Sequence, residues 1–97
     1  MDSTICSAID SRSVISFYYN GGIRVAEPFC HGSGKQGQDL LRAYQIDGYS
    51  ESGNSVGWKL FRVDQMADVE KIDKQFSGSR PLYDPSDSAM RVIHCAV

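Results

Sequence analysis

The residues of this chain best suited to chemistry are cations and rings in the middle of the sequence: Arg24, Arg42, Tyr44, Trp58, Lys59 and Arg62. Aromatic faces stack on nucleobases at about 1–3 kcal/mol each, and guanidinium groups neutralise phosphates and release counterions. Such a mixture suits a single strand of nucleic acid. The same residues have a plainer use, as packed rings and solvated charges that keep sheet edges from pairing with strangers. Strand parity divides them: Lys59 shares a side with Phe61 and Val63, whereas Trp58 and Arg62 share the other. Trp58 opens a strand after a glycine, where a ring half-buries and its indole N–H finds a partner at the rim. It is expected to support a site more than to form its floor.

Other chemistry is poorly provided for. Cys30-His31 and His94-Cys95 carry zinc-type ligand atoms, but neither pair has the ligand spacing of about two to four residues. Neighbours on a strand also point to opposite faces, so no metal is expected. Nothing in the sequence sets a base beside a thiol or supplies an oxyanion hole, and the acidic residues are scattered, so the chain reads as a non-enzyme without a cofactor. "HGSGKQG" lacks phosphate-loop spacing and no helix follows Gly37. His31 there is expected in an exposed, mobile loop.

The chain has 97 residues, enough for one domain with one core. Its net charge of −2 excludes a generally basic coat. Cations slightly outnumber carboxylates between Arg24 and Arg62, and the balance reverses beyond, so an anion site belongs in the middle. Three widely spaced cysteines, Cys6, Cys30 and Cys95, do not resemble a disulfide framework. With no export signal and no apolar run of roughly 18 residues, reduced thiols and a cytoplasmic address are expected.

The elements that must position these residues are mostly strands. "STICSAIDSR" spaces Ile5, Ala8 and Ile9 for a short helix capped by Ser3 or Thr4. "VISFYY" alternates, with Ile15, Phe17 and Tyr19 on one face, and Asn20-Gly21-Gly22 makes a hairpin turn into a strand that Pro28 is expected to end. "DLLRAYQI" and "WKLFRV" pair in a hairpin from residues 39 to 63 that sets Arg42 and Tyr44 opposite Trp58 to Arg62. A strand near 68–72 makes five, enough to curl into a small barrel. Residues 77–97 form an irregular extension packed on the domain of residues 1–76, with Tyr83 as an anchor. Their last part is either a short helix capped by Ser86 or Asp87 or an edge strand through Val92 and Ile93.

This order of features resembles the WYL domain over residues 4–76: Ala8-Ile9, then Ile15, Phe17 and Tyr19, then Arg24, Glu27 and Pro28, then "LLRAYQ", "WKLFRVDQM", Val69 and Phe76. The naming tripeptide of that family stands here as Asp39-Leu40-Leu41, and Gln65 replaces a common arginine. The resemblance implies a five-stranded, SH3-like or Sm-like barrel that senses nucleotides or single strands in bacterial transcription or phage-defence regulation. It matches Tyr19, Arg24, Tyr44, Lys59 and Arg62 to the family's site. Expected ligand-binding residues are therefore Tyr19, Arg24, Arg42, Tyr44, Trp58, Lys59 and Arg62, gathered on one concave face. A homodimer or a DNA-binding partner chain would complete the regulator. The alternative is an SH3-like module for protein interaction or homo-oligomerisation through exposed strand edges.

Overall fold

The alternation of "SVISFYY" builds β1 (Ser13–Tyr19), which follows helix α1 (Ser3–Ser11) in the computed structural model; residues 3–51 and 53–97 are described. Ile5, Ala8 and Ile9 are buried as their spacing predicts. The Ser3 cap concerns a side chain outside those described, and Thr4 sits within the helix. Asn20 and Gly21 both have positive φ, 43° and 98°, the geometry of a two-residue hairpin turn into β2 (Gly22–Ser33). β3 (Asp39–Gly48) and β4 (Gly57–Arg62) form the expected hairpin, in which Tyr44 pairs with Trp58 and Arg42 with Leu60. A single 3-10 turn (Val63–Gln65) leads to β5 (Ala67–Gln75), which pairs with β1.

Pro28 does not end β2. One edge of this long strand pairs with β3, while the other is shared, by β1 along residues 22–26 and by β6 (Val92–Ala96) along residues 30–33. Pro28 falls in the gap between those partners, beside a shift in the β3 register, where a missing N–H breaks no ladder. The expected glycine loop shrinks accordingly, and His31 is a fully buried strand residue, not an exposed one.

Among the described residues six strands form one antiparallel sheet in the order β4-β3-β2-β1-β5, with β6 joined to β2. Six strands replace the five expected, because Val92–Ala96 takes the edge-strand option. The sheet is open, since β4 and β5 end it unpaired with each other among the described residues. It is nevertheless strongly curled. In a flat sheet β1 and β4 would stand about 14 Å apart, three strand spacings. The Phe61 ring of β4 instead lies 4.9 Å from both Phe17 and Tyr19 of β1. These rings, Ile15, Ala26, Leu41 and Ala43 line the concave face, and α1 covers it.

The cysteines also depart from expectation. Cys6 on α1 and Cys95 on β6 form a disulfide, leaving Cys30 free and buried. Their positions 89 residues apart hid the pairing, which needs β6 laid beside β2 before the thiols can meet. Among the described residues no helix is long and apolar enough to cross a membrane.

Candidate functional site

Directly opposed residues of an antiparallel pair share a face. The β3–β4 register therefore sets Arg42, Tyr44, Trp58 and Arg62 on the outer face, and Ala43 and Lys59 on the concave one. The expected gathering of seven residues on one hollow face does not occur.

Tyr19, Arg24 and Lys59 serve the inner side. Arg24 is 4% exposed, its Nη2 donates to the Tyr19 carbonyl at 3.0 Å, and its guanidinium lies 5.3–5.9 Å from the rings of Tyr19, Tyr49 and Phe61. The Tyr19 hydroxyl accepts the Arg62 backbone N–H at 3.0 Å, so β1 satisfies a donor on β4 across the curl. Lys59 Nζ donates to the Asn54 carbonyl at 2.7 Å and braces the β3–β4 connection. These three groups hold the fold.

On the outer face, the segment from Phe76 to Met90 folds over β3 and β4. Trp58 Nε1–H donates to the Pro81 carbonyl at 2.9 Å, and its ring stacks on Tyr83 at 5.9 Å with 16° between planes. Phe29 packs at 4.9 Å from both rings, and the Tyr83 hydroxyl donates to the Val97 carbonyl. Burial, reinforced by Cys30, Asp87 and Asp84, pushes the Tyr83 phenol up. Trp58 thus meets its expected rim position, half-buried with its N–H satisfied.

Two bidentate pairs fix this cover. Arg42 Nε and Nη2 donate to Asp87 at 2.6 and 3.2 Å, and Arg80 Nε and Nη2 donate to Glu27 at 2.8 and 2.9 Å. The Arg42 bond holds the Asp87 carboxyl below the usual carboxylate range, against the opposing effect of its burial and with help from the Ala89 N–H. The Glu27 bond raises Arg80, whose guanidinium also lies 4.1 Å from the Tyr44 ring.

Beside these pairs two hollows meet at Ser88. The first, about 290 Å³, is walled by Trp58 and Tyr83, with Arg42, Asp84 and Asp87 as its charged groups. The second, about 540 Å³ and wider, is lined by Leu40, Leu60, Gln38, Lys35 and Arg62, with no carboxylate among its described lining residues. The Arg62 guanidinium makes a solvent-exposed pair with Asp64, at 3.0 Å, and such pairs contribute about 0–1 kcal/mol. The result is one groove with rings and hydrogen-bond acceptors at one end and cations at the other. Sequence reasoning found Arg42, Trp58 and Arg62 in it, and Tyr44 beneath its cover. Lys35, Tyr83, Ser88 and the two aspartates were missed as lining, since they lie in loops that only the fold brings to β4.

Comparison with protein-family models, curated proteins and solved structures finds no match.

Proposed function

We propose that this protein is a non-enzymatic binding and sensing module, a small SH3-like barrel similar to the WYL domain, that takes a nucleotide or short single strand along the groove on β3 and β4. The observation that carries this reading is the polarity of the groove. Trp58 and Tyr83 offer ring surface at one end, where Asp84 can accept from the exocyclic N–H groups of a base. Lys35 and Arg62 stand at the other end, where phosphate oxygens would lie clear of the Asp84 and Asp87 carboxylates. Arg42, held by Asp87, shapes the middle. The resemblance over residues 4–76 supports a place in bacterial transcription or phage-defence regulation.

Fluorescence polarisation with short labelled oligonucleotides at two salt concentrations tests it. Two phosphate contacts predict a salt slope near −1.4, so affinity should fall roughly sevenfold between 50 and 200 mM salt. Lys35→Ala with Arg62→Ala should abolish that dependence, while Lys59→Ala, on the other face, should not. Binding that ignores the double substitution would remove the groove from consideration.

A second reading, a protein-interaction or self-assembly module, draws on Leu82, which is 92% exposed beside the groove, and on Val92 and Ile93, also exposed. Light scattering separates the two: this reading requires a salt-insensitive assembly and no oligonucleotide binding.

A further inference from the structure

Outside the groove, ligating atoms from three distant parts of the sequence converge beneath α1. Cys6 Sγ, His31 Nδ1 and Cys95 Sγ lie within 4.8 Å of one another, with Nδ1 3.4 Å from one sulfur and 3.8 Å from the other. The two adjacent pairs that looked unsuited to metal are each split by strand pleat as expected, yet one member of each, His31 and Cys95, meets Cys6. Cys30 turns to the opposite side and packs with Leu40 and Met90.

The imidazole is the informative group. His31 is fully buried, and its Nε2 stands 2.6 Å from Asp39 Oδ1. In the neutral imidazole, an Nε2–H donating to that carboxylate leaves the Nδ1 lone pair facing the two sulfurs. A disulfide has no hydrogen to offer this lone pair, so the oxidised cross-link leaves a buried acceptor facing atoms that cannot donate to it. A carboxylate behind a histidine, with the other ring nitrogen turned toward sulfur, is instead the arrangement that orients and strengthens an imidazole ligand to a metal.

We infer that the reduced protein binds one zinc ion through Cys6 Sγ, Cys95 Sγ and His31 Nδ1, with Asp39 fixing the imidazole from behind. Tetrahedral zinc, with sulfur at about 2.3 Å and nitrogen at about 2.0–2.1 Å, sets its sulfur and nitrogen ligands about 3.6 Å apart. The two sulfur–nitrogen separations already present, 3.4 and 3.8 Å, bracket that value. Only the sulfurs have to part, to about 3.8 Å in the same geometry. Both cysteines are half-buried, not sealed, which leaves the fourth position to water or a small exogenous ligand. His94 stays out of the set, with its Nε2 on Ser33 Oγ at 3.0 Å. The chemistry balances: the disulfide takes two electrons and two protons from a dithiol reductant, which becomes its own disulfide. Zinc then displaces the two thiol protons. Cross-link and metal alternate at one place: the cross-link ties α1 to β6, and the metal would tie α1 to β2 as well.

The test is a cobalt titration of the intact protein, reduced with a phosphine and freed of metal. One equivalent should give thiolate-to-cobalt charge-transfer bands and tetrahedral visible bands, which zinc then removes. The oxidised protein should give neither, Cys30→Ser should keep both, and His31→Ala should lose them. Because a buried histidine variant can misfold, Asp39→Asn is the second arm: its cobalt affinity should drop about ten- to a hundredfold while circular dichroism stays unchanged. Absence of bands in the reduced protein, bands that survive His31→Ala, or full affinity in Asp39→Asn would each overturn the site.

Discussion

Reducing the Cys6–Cys95 bond in metal-free, chelator-containing buffer should cost the fold much of its stability. The cross-linked residues are 89 apart, close to the full length of the chain. In the chain-entropy treatment a loop of that size restricts the unfolded state by about 4.6 kcal/mol. At roughly 2.1 cal/mol/K of unfolding entropy per residue, a chain of 97 residues has about 0.2 kcal/mol/K in total, so Tm should fall by about 20 °C. Native contacts that hold the same segment, such as Tyr83 to Val97 and the β2–β6 pairing, involve neither sulfur and are not counted in this unfolded-state term. The assay is a pair of thermal melts followed by circular dichroism, with and without reductant, and with thiols counted to verify reduction. A verified reduction that moves Tm by less than about 5 °C, near 1 kcal/mol on the same scale, would refute the loop-closure reasoning. Finding three free thiols in protein purified without reductant would refute the pairing itself.

The Arg42–Asp87 clamp has a pH signature. Asp87 has a depressed folded pKa, so its contribution is present above the unfolded value near 3.9 and is lost as pH falls through the folded value. Asp87→Asn should therefore lower stability at neutral pH by about 1–3 kcal/mol, and melts should show the gap from the parent closing below about pH 4. Gly48 has φ +100° and a Cβ there would collide with the Ile23 carbonyl, whereas Gly53 has φ +81° with open space around it. Urea titrations should find Gly48→Ala costing about 2 kcal/mol or more and Gly53→Ala about 1 kcal/mol, the cost of the left-handed backbone alone. Cys30 is buried, and desolvation raises its thiol, with Asp87 adding and Arg42 opposing. Iodoacetamide should label it in the native oxidised protein only at the rate of unfolding, as mass spectrometry would show.

Much of the fold was legible because its signals are local. Alternation in "SVISFYY", the Asn20-Gly21 turn and the two runs of the 39–63 hairpin each need only a few residues to be read, and α1, β1, β3 and β4 follow from them. What escaped was decided at long range. Pro28 is tolerated because β1 and β6 divide one edge of β2, a fact set by residues more than 60 positions away. His31 looked like a loop residue among glycines, but β6 passes so close that a Cβ on Gly32 would strike the Val92 carbonyl. That glycine is there for strand approach, not for mobility. The site was half visible for the same reason: β-pairing put Arg42, Tyr44, Trp58 and Arg62 on one face, while their partners come from loops with no periodic signal. Tyr19, Arg24 and Lys59 share residue types with a ligand site, but parity turns them inward.

Trp58 is the single tryptophan of the chain and lies at the ring end of the groove. Its emission therefore reports on the ring end of that groove. Titration with a short single-stranded oligonucleotide at low salt should quench the emission by base stacking, saturate at one site, and lose the response in Lys35→Ala with Arg62→Ala. Emission that stays unchanged while polarisation reports binding, or quenching that persists in the double variant, would contradict a groove that holds bases on Trp58 and phosphates on Lys35 and Arg62.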